Sequence, residues 1–112
     1  MEVSATNRYA SVSPQKVRLV LKHLPGKSVD EALTLLKFMM SPHAKTVAKV
    51  VKSAASNAEN NFAAMPDSLY VKRAFANDSR RLKRFRPAAR GRIHPYVHRS
   101  SHITIIVDER ER

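Results

Sequence analysis

The residues with the most chemistry to offer fall in one stretch, residues 79–101, SRRLKRFRPAARGRIHPYVHRSS. It carries Arg80, Arg81, Lys83, Arg84, Arg86, Arg90, Arg92 and Arg99, and no Asp or Glu stands between Asp78 and Asp108. An Arg guanidinium is a planar fork of donors that matches phosphate and stacks on bases. Phe85 and Tyr96 add ring faces of the kind that hold unpaired RNA bases. Pro87 restrains the backbone, and Gly91 permits a tight bend or a close approach to a ligand. A plain solvated charge run is the competing reading, but solvated surfaces mix signs and this segment does not. The chemistry is that of a polyanion binder.

Other chemistries find less support. His94, His98 and His102 stand four apart, the spacing of a helical metal set, but Pro95 is incompatible with a helix there. In an extended chain such residues lie ~13 Å apart, and the surrounding Arg charge opposes a cation. No metal is expected, and His98 and His102 are assigned to RNA or backbone hydrogen bonding. The Ser residues read as helix caps or strand positions. There is no nucleophile elbow, phosphate-binding loop or dinucleotide fingerprint, so no enzyme, cofactor or small-molecule substrate is expected. The chain has no cysteine, which excludes disulfides and thiolate chemistry.

The whole chain shares the bias of this segment. Its 112 residues suit one domain, and 43% apolar content supports a core. It has 21 Lys+Arg against 9 Asp+Glu, a formal charge of +12, and a pI of about 10.8. That is the footprint of a nucleic-acid binder, although an anionic membrane or an acidic protein would suit the charge as well. No apolar run approaches the ~20 residues of a membrane span. The start, MEVSATNRYA, lacks the basic and apolar regions of a signal peptide. A soluble intracellular protein is therefore expected.

The elements that must position the basic segment can be read in order. Residues 2–9 alternate weakly as a strand, with Val3, Ala5 and Tyr9 on one parity. Ser13-Pro14 starts a helix, Ser as N-cap acceptor and Pro at N1, carrying Val17, Val20, Leu21 and Leu24 until Pro25-Gly26 stops it at C′. Ser28 and Glu31 form a capping box for a second helix to about residue 40, with Val29, Ala32, Leu33 and Leu36 apolar and Met39-Met40 as core filler. These two helices do not make a helix-turn-helix reader, because the second opens with Asp30 and Glu31 and would repel DNA.

Ser41-Pro42 repeats the start signal for a long third helix to about Phe62. Its stripe is Ala44, Val47, Ala48, Val51, Ala54, Ala55, Ala58 and Phe62, and its many alanines allow close approach to a sheet. Lys45, Lys49 and Lys52 form a second row, first a solvated face and secondly a phosphate contact. Such a helix has too few bulky apolar residues opposite its lysines for a membrane-surface protein. Asn57, Asn60 and Asn61 favour a turn near its end. After a turn at Met65-Pro66-Asp67, residues 69–77 alternate as a strand, and residues 101–107 form another with Ile103, Ile105 and Val107 on one face. These two strands should pair antiparallel, making the basic segment an extended hairpin. Its tip, residues 83–92, is expected to order only on binding, since a lone hairpin is marginal in water.

Six motifs occur in one order: SPQKVRLV (13–20), GKS (26–28), SAASNAENN (53–61), LYVK (69–72), LKRFRPAARGR (82–92) and SSHITIIV (100–107). Together they resemble the bacterial large-subunit ribosomal protein family numbered twenty-two, over nearly the whole chain. The resemblance implies an α+β fold: three helices packed on a small three-stranded antiparallel sheet, with a long protruding β-hairpin. One domain is implied, its body at about 1–78 and 101–112 and its arm at about 79–101. The implied role is structural, in the cytoplasmic ribosome. The chain would bind large-subunit rRNA, support assembly, touch neighbouring large-subunit proteins, and meet the nascent polypeptide in the exit tunnel. No membrane partner is implied.

By match to the tip motif, Lys83, Arg84, Phe85, Arg86, Pro87, Ala88, Ala89, Arg90, Gly91 and Arg92 would form the tunnel tip. The first-helix motif carries over Ser13, Lys16 and Arg18 as RNA contacts. Arg8, Lys22, Arg80, Arg81, Lys83, Arg84, Arg86, Arg90, Arg92, His98, Arg99, Ser101 and His102 complete the expected rRNA-binding set. Two places depart from the family's pattern. Asn77-Asp78-Ser79-Arg80 replaces an acidic-Gly-Pro turn. The returning leg, IHPYVHRSSH, lacks the usual basic run, and Pro95 has no N–H for a ladder, so that leg is expected to kink or unpair there.

Overall fold

The computed structural model describes residues 2–10, 12–78, 82–87, 93–98 and 100–109, the arm strands at backbone level. The order is β1 (Glu2–Ala10), α1 (Pro14–Leu21), α2 (Val29–Phe38), α3 (Ala44–Phe62), a 3-10 turn (Pro66–Ser68), β2 (Leu69–Asp78), β3 (Leu82–Pro87), β4 (Ile93–His98) and β5 (Ser101–Glu109). β5 lies between β1 and β2 in a three-stranded antiparallel sheet, and β3 pairs with β4 in a separate ladder. The α+β architecture is as expected.

The core lies between the helices and one face of this sheet. Val3 and Ala5 of β1 and Ile103, Ile105 and Val107 of β5 are buried there at alternate positions, as the pleat requires. α3 packs on β1 and β5, α1 on β2, and α2 on α3. Ala44, Ala54 and Ala58 of α3 are buried, and their small side chains let the helix approach the strands closely. Val50 joins this stripe, whereas Phe62 is exposed. Met39 is half-buried against the core, but Met40 is fully exposed and fills nothing.

The strand faces differ from simple alternation in two places. In β2 the register passes from Val71↔Val107 to Arg73↔Ile106, so Lys72 is an extra residue and parity reverses. Leu69, Val71 and Ala76 are therefore buried, while Arg73 and Phe75 lie on the exposed side. In β1 a register shift between Asn7 and Ala10 puts Ala10 in the core.

Cap details also differ. Ser13 occupies the N-cap of α1 but its side chain makes no cap bond, whereas the Ser28 hydroxyl accepts from the Glu31 N–H at 3.2 Å. α1 ends at Leu21, so Gly26 is no C′ residue. Its φ of +86° instead shapes a turn whose N–H donates to the Val71 carbonyl, while Val71 N–H donates to the Lys27 carbonyl, both at 2.8 Å. This pins the α1–α2 connection along the edge of β2. α3 starts at Ala44 rather than Pro42, with the Ser41 hydroxyl accepting from the His43 N–H. It runs through all three asparagines and ends at Ala63, a non-glycine residue at φ 50°.

The arm ladder runs without interruption from Leu82↔His98 to Pro87↔Ile93. It includes Phe85↔Pro95, which corrects the expectation of an unpaired returning leg. A two-stranded antiparallel ladder points every second N–H outward, so a proline is admissible in it as on any sheet edge. The expectation about ordering of the tip, residues 83–92, lies for residues 88–92 outside the described residues.

Candidate nucleic-acid interface

The topology gathers the expected binding residues at one end of the sheet. Ala10 of β1 and Asp78 of β2 both stand opposite Ser101, the first residue of β5. The arm leaves the body at this end. Arg8 lies near the end of β1 and is exposed, and α1 begins a few residues beyond β1. Lys16 on α1 and Lys22 at its C-cap are exposed as well. Of these exposed cations, Arg8 stands nearest the arm end of the sheet, while Lys16 and Lys22 lie along α1, which packs on β2.

Arg18 joins α1 to the base of the arm. Its Nε and Nη2 both donate to the Ala76 carbonyl, at 3.0 and 2.7 Å. The guanidinium of α1 therefore holds the last turn-out of β2 before the arm. Arg18 belongs to the expected RNA-binding set, and two of its donors point into the protein. Ser101 is a further member of that set. It is fully buried and its hydroxyl has no hydrogen-bond partner among the described residues, so the side chain is not offered to a ligand. Ser13 is half-buried at the N-cap, and His102 is half-buried opposite Asn77.

In the arm, Lys83, Arg84, Phe85, Arg86 and Pro87 occupy β3, opposite Val97, Tyr96, Pro95, His94 and Ile93. Arg84 and Arg86 are thus ladder neighbours of Tyr96 and His94. His98 closes the ladder opposite Leu82. Six paired positions at ~3.4 Å each make this ladder roughly 20 Å long. Arg80, Arg81, Ala88, Ala89, Arg90, Gly91, Arg92 and Arg99 lie outside the described residues. Among the described residues no group of three His, Asp or Glu is arranged to hold a metal.

The opposite end of the sheet carries the acids. Apart from Asp78, the carboxylates on its strands are Glu2, Asp108 and Glu109, all remote from the arm. Lys72, the extra residue of β2, reaches across β5 to hydrogen-bond the Glu2 carboxylate, and lies 3.7 Å from Asp108. Arg73 stands 3.8 Å from Glu2. The Lys72 bond holds the Glu2 carboxyl below its ordinary range, and the same bond raises the Lys72 ammonium. At Asp108, burial would raise the pKa, but the Glu109 N–H, the N-terminal ammonium and the nearby Lys72 together outweigh it and the net shift is downward. At the far end of the sheet Glu2 and Asp108 thus stand beside Lys72, and Glu2 beside Arg73 as well.

The sequence reading missed this strap and the Arg18 pin. The adjacent Lys72 and Arg73 were the available signal for the first, since strict alternation cannot put two neighbouring cations on the same exposed face. The second left no sequence signal, because its acceptor is a backbone carbonyl 58 residues away.

Comparison with known proteins follows the same boundaries. The family described as Ribosomal protein L22p/L17e matches residues 5–108. A large ribosomal subunit protein uL22 of Dehalococcoides mccartyi is 53% identical over 107 residues, covering 96% of this chain and 98% of that one. The uL22 of a Thermoanaerobacter species is 50% identical over 111 residues, with 99% and 100% covered. That of Clostridium novyi is 46% identical over 110 residues, with 98% and 99% covered.

Proposed function

Because the chain belongs to the ribosomal protein L22p/L17e family, we propose that it binds large-subunit rRNA through the exposed cations of its body and its basic arm and lends the arm tip to the exit-tunnel wall. Family membership makes it a structural constituent of the large ribosomal subunit, not an enzyme. The finer reading rests on one observation. The exposed Arg8, Lys16 and Lys22 lie on β1 and α1 of a body whose β2 and β5 run out into an arm with a sequence free of acids. A single RNA fold can be gripped at the body and penetrated by the arm. Neutralising phosphates from several RNA segments at once would support assembly.

In this reading the tip residues 83–92 face both rRNA and the nascent polypeptide, the body's exposed cations face rRNA, and other large-subunit proteins flank the body in a cytoplasmic ribosome. The arm's Arg residues supply bidentate phosphate contacts, and Phe85 and Tyr96 supply surfaces for stacking. The test is crosslinking from positions 83–92 in assembled subunits carrying a stalled nascent peptide. Adducts to both rRNA and peptide are expected; adducts to neither overturn the reading. In solution, binding to large-subunit rRNA should fall steeply with salt, each neutralised phosphate adding about 0.7–0.9 to the log–log slope. A flat salt dependence counts against it.

A further inference from the structure

A surface remote in character from the arm has received no role. α2 and α3 leave between them an open groove of ≈ 630 Å³. Its floor includes Leu33, Met39 and Ala48, apolar side chains only partly covered by the core. Its rim is Lys37 from α2 and Lys45, Lys49 and Lys52 from α3, and no Asp or Glu lines it. The three α3 lysines follow at helical spacing, covering roughly 10 Å of the helix. All are exposed, and none has an ion pair among the described residues.

At Met39 and Ser41 this groove meets a second one, lined also by Lys16, Leu19 and Pro42. Leu19, which lines the second groove, is 62% exposed. A continuous apolar trough with a lysine rim results.

We propose that this trough docks an acidic amphipathic segment of another protein, helical when bound. Its apolar stripe would lie on Leu33, Met39 and Ala48, and its carboxylates would meet Lys37, Lys45, Lys49 and Lys52. A helix laid into an apolar groove is a standard mode of peptide recognition. Charge complementarity selects an acidic partner. The floor selects protein over nucleic acid: a sugar–phosphate backbone has no apolar stripe to cover Leu33 and Met39, and would leave Leu19 against water. The cation type agrees. The arm is built mainly from Arg, whereas the trough uses Lys alone, whose aliphatic stems extend the apolar floor while the ammonium stays at the rim.

The experiment titrates the full chain into a fluorescein-labelled peptide of about four helical turns, with Leu along one stripe and Glu flanking it. A scrambled peptide of the same composition controls for charge alone. The amphipathic peptide is expected to bind at least about tenfold more tightly than the scrambled one, and Lys45→Glu/Lys49→Glu/Lys52→Glu is expected to abolish the difference. Equal binding of the two peptides overturns the proposal, and so does an unchanged affinity in the triple variant. Duplex RNA that displaces the peptide, and itself loses at least as much affinity in that variant, assigns the trough to phosphate and also overturns it. If the triple variant loses helical signal, acetylation of the unaltered chain decides: Lys45, Lys49 and Lys52 should be protected by the amphipathic peptide, and their full reactivity refutes docking. The assay reads the free chain, so its failure is distinct from a failure to bind rRNA.

Discussion

Replacing Arg18 by Ala tests whether the arm's base is held from α1. The substitution removes both donors to the Ala76 carbonyl, at 3.0 and 2.7 Å. A hydrogen bond to a charged donor contributes about 1.5–3 kcal/mol net. The two donors share one acceptor, and the site is only partly buried, so water replaces part of what is lost. The expected cost is about 1–2 kcal/mol, or roughly 4–10 °C in Tm for a domain of this size. Arg18→Lys should recover less than half of it, since an ammonium does not reproduce the guanidinium's two-donor fork. The assay pairs urea denaturation of the free chain with the salt dependence of rRNA binding. A structural pin lowers the urea midpoint and leaves the log–log salt slope unchanged. A direct phosphate contact instead reduces the slope by about 0.7–0.9. Unchanged stability with a reduced slope would refute the argument made for Arg18.

Ala63 closes α3 in the left-handed region, at φ 50° and ψ 34°. This conformation costs an L-residue about 1–2 kcal/mol, part of which glycine loses again to its freer unfolded chain. Ala63→Gly should therefore stabilise by about 0.5–1 kcal/mol in thermal denaturation, and a lowered Tm would contradict the cap geometry. Glu2→Gln tests the strap across the sheet. A carboxyl held below its ordinary 4.5 adds stability that is present above that value and lost as pH falls through the lowered one. An ammonium raised above 10.5 adds stability that is present below that value and lost as pH rises through the raised one. The wild type should exceed Glu2→Gln in urea midpoint between these two values and lose its advantage in stronger acid and stronger alkali. The exposed pair should also weaken with added salt. A difference that persists unchanged at about pH 2 would exclude the Lys72 bond as its cause.

Local signals carried most of the element order. Ser13-Pro14 and the Ser28/Glu31 pair place two helix starts, the first by the fixed φ of Pro14 and the second by a capped N–H, both local and visible in sequence. The periodicities of α3 and β5 expose their core faces, because most of each element packs against one layer. The failures share a different cause. In β2, one extra residue at Lys72 reverses every later side, so Phe75 turns out and Ala76 turns in. Met40 and Phe62 sit beyond or at the end of their helices, where the core no longer reaches, and apolar character alone does not bury them. Arg18 was legible as a cation and not as a clamp. Ser101 was legible as a strand residue, but not its place, fully buried at the junction of three strands.

That junction bears on how the arm is aimed. The body ladder ends at Asp78↔Ser101 and the arm ladder begins at Leu82↔His98. Three residues separate the ladders on the outgoing side and two on the returning side, so the two registers are one residue out of step. A second irregularity, the shift of β1 before Ala10, abuts the same Ser101. Regular pairing alone therefore does not carry the sheet's direction into the arm. The direction must be fixed by contacts at the neck, of which the Arg18 clamp on Ala76 is the best defined. Over an arm ladder of roughly 20 Å, a tilt of about 10° moves the far end by ~3.5 Å, as much as one residue of strand. On the proposed function, charge in the arm sets how strongly RNA is held, while contacts within the protein at the neck, such as the Arg18 clamp, set where the tip arrives. Variants of the two kinds should separate: arm variants change salt dependence, and neck variants change which nucleotides and nascent-chain positions crosslink to the tip.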